Sequence, residues 1–256
     1  MVTKQLPDHL SYSQINTYMT CPLRYQLHYV EQIPASFTSA GLVFGSAIHE
    51  AVGAFYHQYL LGDHLKASQM VDVYRQAWRD REGEGIKFFN GDDAVSLVEK
   101  ATKLLSVFHE AFDPTVAVLG VEEFFEIELG DMPLLQGYID LIEQAEGGQI
   151  TVADLKTAAR KPVNGSAHQN LQLTAYSVGV EALGFTPEEV NLRLDVLTKT
   201  KNPELVRCET TRTDNERQRF VKLAQHIWNA IEREAFFPKQ DWTCKQCAWA
   251  EPCAKW

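Results

Sequence analysis

The sequence has no run of about 18 apolar residues, the length a membrane-spanning helix needs. No charged start leads into an apolar core and cleavage site. A soluble, cytoplasmic and nucleoid-associated protein with no membrane partner is the expectation. Internal repeats and low-complexity tracts are also missing, which excludes a solenoid and a disordered linker. Positive charge is in short supply: 24 Lys and Arg stand against 34 Asp and Glu, a net charge of −10. Summed over the chain, that balance speaks against a polyanionic partner. It excludes none locally, because acidic clusters that hold metal put negative charge where a phosphate must approach. What is present is apolar: 45% hydrophobic and 11% aromatic residues in 256 suffice for one large core, so a single domain over 1–256 is expected.

The stretch from Gly137 to Lys156 organises the rest. It contains two apolar runs joined by Gly147-Gly148, each run with an acidic residue, which is a hairpin signal. Side chains alternate along a strand, so Asp154 and Lys156 share one face while Ala153, Leu155 and Thr157 share the other. A hairpin brings Asp140 beside Asp154, and the spacing places both carboxylates at a polar strand edge. Two carboxylates and an ammonium there are costly to desolvate unless a partner such as a divalent cation meets them.

Ser11 and Gln14 form a capping-box pattern that starts a helix near Tyr12, and Cys21-Pro22 marks a junction to a second segment. Helical spacing of Phe44, Ile48, Ala51, Phe55 and Tyr59 predicts a buried helix over 41–60. His49 lies on it, on the face of Gly45, Val52, Gly53 and Tyr56, with room for a ligand to approach the imidazole. Two amphipathic helices follow over 65–82 and 92–113, with Asp92 or Asp93 capping the second. From Val121 the period changes to 2, predicting a strand with one acidic face and then the Asp140 and Asp154 strands, an antiparallel meander. Gln169 to Gly184 reads as a helix with Gln172 and Tyr176 on one face and Gly184 as its stop. A crossover of that length permits a parallel strand over 190–196, hence a mixed sheet, and 213–234 reads as a long helix.

Cys244, Cys247 and Cys253 fall within ten residues. In a chain read as cytosolic, metal ligation accounts for them better than disulfides. The fourth ligand could be Cys21, Cys208 or a histidine, and zinc or an iron-sulfur cluster would fit.

His49 in Gly-x-x-x-His, Asp140 in Gly-Tyr-Ile-Asp, Asp154-Leu-Lys156 and Gln172-Leu-Thr-Ala-Tyr176, in that order, resemble the RecB-like branch of the PD-(D/E)XK nuclease superfamily. With Cys21 and the Cys244, Cys247, Cys253 tail, the chain is similar to the iron-sulfur subgroup that holds CRISPR-associated RecB-like exonucleases and AddB-type nuclease domains. Ile139 stands where the motif has proline. The resemblance implies an α/β, restriction-endonuclease-like central mixed sheet flanked by helices. It further implies a helical N-terminal part over 1–120 arching over the site, a sheet core over 121–200, and a C-terminal helix with a cysteine-bound tail over 201–256. It implies a Mg²⁺- or Mn²⁺-dependent deoxyribonuclease, an exonuclease on single-stranded DNA ends serving repair, recombination or CRISPR spacer acquisition. A helicase or a CRISPR integration complex would be its partner. By the same resemblance His49, Asp140, Asp154 and the Leu155 carbonyl hold the metal, Lys156 handles the water, and Gln172 and Tyr176 position substrate or Lys156. Cys21, Cys244, Cys247 and Cys253 hold a 4Fe-4S cluster, with Zn²⁺ the alternative, and Cys208 is left unliganded. Arg160, Lys161, Lys199 and Lys201 are candidate phosphate contacts. Two other classes compete: a non-catalytic DNA-binding module and a zinc-stapled scaffold.

Overall fold

The structure, a computed structural model, describes residues 6–89 and 91–256; the expected domain over 1–256 therefore includes residues 1–5 and 90, which lie outside the described ones. A short strand β1 (His9–Ser11) leads directly into helix α1 (Tyr12–Thr20). Ser11 Oγ caps that helix by accepting the Gln14 N–H at 3.2 Å. The expected box is only half built. Gln14 turns inward, donating to the His9 carbonyl at 3.2 Å and accepting the Tyr25 hydroxyl at 3.1 Å, because a buried amide needs partners inside the protein. Cys21 is extended between α1 and α2 (Pro22–Tyr25), whose first residue is proline. A π-helical turn, Gln26–Val30, continues α2.

Helix α3 (Ala40–Leu60) is buried on most sides by α4 (Ala67–Arg79) and α5 (Ala94–Glu110). Asp93 caps α5 by accepting the Ser96 N–H at 2.7 Å. Against α3, β2 (Thr38–Ser39) and β3 (Ile86–Lys87) form a small parallel pair.

The central sheet begins with β4 (Ala117–Ile127), β5 (Leu134–Gln144) and β6 (Ile150–Ala158), paired antiparallel in sequence. Helix α6 (Leu171–Gly179) crosses over, passes into a 3-10 turn and stops at Gly184, where φ is +84. Strand β7 (Val190–Thr198) then pairs parallel with β6, and β8 (Leu205–Thr210) antiparallel with β7. Helix α7 (Asp214–Glu232) and a short α8 (Ala250–Cys253) complete the chain. The result is the mixed α/β sheet flanked by helices of the restriction-endonuclease-like fold.

Two buried cores lie on opposite faces of the sheet. One joins α1, α6 and α7 to Phe125, Ile139, Val152 and Leu194. The other joins α3, α4 and α5 to Val121, Leu141, Ala153 and Leu155. The N-terminal helices are thus divided between the two faces.

One feature of the sheet creates the site. β5 is paired along one edge with β4, but its other edge pairs with β1 only through Gln136 and with β6 only from Leu141. Residues 137–140 therefore face a split between β1 and β6.

Candidate active site

Asp140 stands at this split. Its Oδ2 accepts the backbone N–H of Leu155 at 2.9 Å, so a side chain substitutes for the ladder bond where β6 leaves β5. Asp154 follows one residue before, on β6, and the structure corrects its expected position. β6 is flanked by β5 and, from Ile150 to Ala158, by β7, so Asp154 sits on a central strand under α6 with 0% exposure, not at a polar edge. Lys156 Nζ lies 2.7 Å from Asp154 Oδ1, and its half-exposed side chain reaches outward.

From α6, Tyr176 places its hydroxyl 3.3 Å from Asp140 Oδ1 and 3.4 Å from Asp154 Oδ1. Gln172, one turn earlier, donates to that hydroxyl at 3.0 Å, which leaves the phenolic proton for the carboxylates. From the opposite face, His49 on α3 brings Nδ1 to 3.4 Å from Asp140 Oδ2, and the ring also shares a hydrogen bond with the backbone of Leu155. The expected residues His49, Asp140, Asp154, Lys156, Gln172 and Tyr176 are thereby joined by a continuous chain of contacts.

The electrostatics follow from burial. Desolvation pushes the Asp154 carboxyl up to about 6, with Lys156 pulling it down and the negative charge of Asp140 adding to the rise. Burial and then the two carboxylates hold the Tyr176 phenol well above its ordinary range, so it stays a donor. Burial keeps the His49 imidazole below its usual range against the pull of Asp140, which favours the neutral ring that serves as a metal ligand.

The residues fit a divalent cation on one observation in particular: Asp154 Oδ2 is buried with no hydrogen-bond partner. A desolvated carboxylate oxygen is costly unless a donor or cation meets it. Asp140, Asp154, His49 and the Leu155 backbone supply the oxygen and nitrogen donors such an ion takes. They do not form a ready-made cage. Among the described residues, no three His, Cys, Asp or Glu side chains stand in a geometry that could hold a metal ion.

Two neighbours escaped the sequence reading. The register places Glu122 opposite Asp140, and its backbone is left-handed, φ +52. Its carboxylate lies over Gly53 of α3, where a Cβ would meet Oε1 at 3.2 Å. Glu122 lines one small pocket with His49 and Asp140. Tyr12 is the other: burial and the charge of Asp154 raise its phenol. An alternating strand pattern announces neither a positive φ nor the influence of a carboxylate 142 residues away in sequence.

Of the basic candidates, Arg160 and Lys201 are exposed. Lys161 is paired with Glu204 at 2.7 Å, and Lys199 lies 5.2 Å from the Phe44 ring centroid. All follow the ends of β6 and β7.

The thiols of Cys21, Cys244, Cys247 and Cys253 line one cavity of about 660 Å³ between α1 and the C-terminal tail. Burial, then the charges of the other three, push the Cys253 thiol up. All five cysteines are free, and Cys208 lies on β8. The tail is also docked by its own bonds: Trp249 Nε1 donates to the Ile33 carbonyl at 2.8 Å and Ser36 Oγ to that of Ala248 at 2.7 Å.

A mixed sheet split beside two carboxylates and a lysine defines a nuclease of the restriction-endonuclease-like class. The chain belongs to the PD-(D/E)XK nuclease superfamily, whose family model matches residues 9–254. A solved structure from Eubacterium rectale, described as a candidate exonuclease, is similar over 97% of this chain and 88% of that one. Its TM-score is 0.56 at 14% identity, which shows a shared fold. A second, SSO0001, is aligned over 95% of each chain at 16% identity with a TM-score of 0.39. No curated protein matches the sequence. Among the described residues, no helix is long and apolar enough to cross a membrane.

Proposed function

We propose that this nuclease is a divalent-cation-dependent deoxyribonuclease acting as an exonuclease on single-stranded DNA ends. The observation that carries the reading is Asp154. It is buried, has one oxygen without a partner, is linked through Tyr176 to Asp140, and is paired with Lys156 beside the split that His49 reaches. A bound Mg²⁺ or Mn²⁺ supplies Lewis acidity to the phosphodiester and to the attacking water.

The chain's own residues do the rest. His49, through one ring nitrogen, Asp140, Asp154 and the Leu155 carbonyl would hold the ion. Lys156 Nζ, fixed by Asp154, orients the water and offsets phosphate charge. Tyr176, steadied by Gln172, keeps the two carboxylates in one register. Arg160 and Lys201, exposed beyond β6 and β7, meet the flanking phosphates, and Lys161 and Lys199 add to them by exchanging their present partners.

The reading extends to one domain over 1–256 and to a 4Fe-4S cluster held by Cys21, Cys244, Cys247 and Cys253, as in the RecB-like iron-sulfur subgroup. Support for the cluster is the shared cavity and the free state of the four thiols, which would have to draw together to ligate it, since no three of them stand in metal-holding geometry. DNA repair, recombination and CRISPR spacer acquisition all employ such chemistry.

The test is a Mn²⁺-dependent digestion series on end-labelled single-stranded, duplex and circular DNA, run beside Lys156→Ala. Shortening of linear single strands from an end, lost with Lys156→Ala, is the expected result. Cutting of circles, or a Lys156→Ala variant as active as the parent, overturns the exonuclease or the site respectively.

A further inference from the structure

An open groove of about 530 Å³ adjoins the site. Asp140, Gln172 and Tyr176 line it together with Tyr12 at the start of α1. Its lining continues to Phe124 and Tyr138, which are cross-strand partners on β4 and β5 with ring centroids 5.2 Å apart. Both rings are left to solvent: Phe124 is 43% and Tyr138 61% exposed. Each is flanked in sequence by a residue that is buried, Phe125 and Ile139, so the exposure is set by strand alternation and not by a frayed element.

Tyr138 precedes Asp140 by two residues, about 7 Å of strand, and the two line the same groove. That is within reach of a nucleotide whose phosphate lies at the carboxylates. Exposed aromatic faces beside a nuclease site suit one occupant above others. A base stacks on an aromatic ring regardless of its identity. Inside a duplex each base face is already covered by its neighbours and a blunt end leaves only the outer face of its last pair, so an unpaired strand offers far more base surface to a ring.

We infer that Phe124 and Tyr138 form a stacking platform for the base next to the scissile phosphate, which makes an unpaired strand end the substrate class of this site. The inference rests on the nuclease reading of Asp140 and Asp154, and it assigns the groove's occupant as the substrate strand because the same groove contains Asp140. The platform confers preference for unpaired substrate; the carboxylates and Lys156 perform the hydrolysis.

The test measures binding in EDTA, so that cleavage does not intervene. A labelled single-stranded oligothymidine and a blunt duplex of equal length are titrated by fluorescence anisotropy against the parent, Phe124→Ala/Tyr138→Ala, and Tyr138→Phe. The double variant is expected to bind the single strand at least ten-fold more weakly while duplex binding changes less than two-fold, and Tyr138→Phe is expected to bind like the parent. Thermal melting checks that the double variant is folded, and a 2-aminopurine at the terminal position reports stacking through its quenching in the parent.

Unchanged single-strand binding, or an equal loss on both substrates, overturns the inference. Loss of self-association without loss of single-strand binding also overturns it and assigns the rings to a contact between copies. Asp154→Ala is followed separately by cleavage in Mn²⁺. Its failure to abolish cutting would sink the nuclease site, whereas a silent platform variant beside an inactive Asp154→Ala would sink only the platform.

Discussion

Asp140 accepts the backbone N–H of Leu155 at 2.9 Å. At this point β5 and β6 stop pairing with each other and a carboxylate takes the place of a main-chain carbonyl. The split that results leaves room between two strands where a regular ladder would leave none.

Asp154→Asn is expected to abolish cleavage and to stabilise the protein at neutral pH. The carboxyl is pushed up to about 6 from 3.8. Its folded form therefore binds more protons than the unfolded chain between those values, and stability declines as pH rises through about 6. Asparagine carries no charge to desolvate. The gain should be on the order of 1–3 kcal/mol at pH 7.5, and melting curves in EDTA from pH 4 to 8 should show a flatter profile for the variant.

Binding of a divalent ion should follow the same proton. Below about 6 the ion must displace it from Asp154, so the rise in melting temperature produced by Mn²⁺ should shrink as pH falls through that value and level off above it. Thermal shift with Mn²⁺ at several pH values measures this without any substrate. A pH-independent shift, or one retained by Asp154→Asn, would place the ion elsewhere.

Tyr176→Phe removes the hydroxyl standing 3.3 and 3.4 Å from the two carboxylates. The expected loss in kcat is about ten- to a hundred-fold, as for one hydrogen bond to a charged group, with KM little changed. Gln172→Ala, which only steadies that hydroxyl at 3.0 Å, should cost less. Equal losses for both would show that Gln172 touches the substrate itself.

The Phe125 ring is clamped between β5 and α6. A Cβ at Gly137 would meet it at 2.7 Å and one at Gly179 at 2.5 Å. Gly137→Ala and Gly179→Ala should each destabilise by about 1–3 kcal/mol through overpacking. Because α6 carries Tyr176, activity should fall with them. Adding Phe125→Leu should restore part of the loss, which urea denaturation would show as a return of the midpoint.

If the proposed cluster forms, anaerobically purified protein is expected to be brown, and Cys247→Ala to remove the colour and lower the melting temperature. The hydrogen bonds from Trp249 and Ser36 should keep the tail attached, so the fall should be partial. A colourless parent containing one equivalent of zinc would replace the cluster by Zn²⁺.

What the sequence determined by itself is the local order of the molecule. Period-2 alternation gave the β4, β5 and β6 meander, a 16-residue interval with Gly184 at its end gave α6, and the length of that crossover implied the parallel β6 and β7 pair. The linear series His49, Asp140, Asp154, Lys156, Gln172 and Tyr176 was singled out by resemblance; strand and helix periods by themselves gave the shared faces of Asp154 with Lys156 and of Gln172 with Tyr176. Tertiary structure alone decided how much water reaches them. Asp154 read as an edge residue because alternation reveals the face of a strand but not its place in the sheet; β7 and α6 bury it. Glu122 was singled out by no sequence pattern, yet its backbone is left-handed and its carboxylate lies over Gly53. The side chain of Gln14 read as a cap, but the Tyr25 hydroxyl draws it inward. Each difference has one physical cause: desolvation and long-range hydrogen bonding depend on which elements pack together, and residues distant in sequence supply those partners.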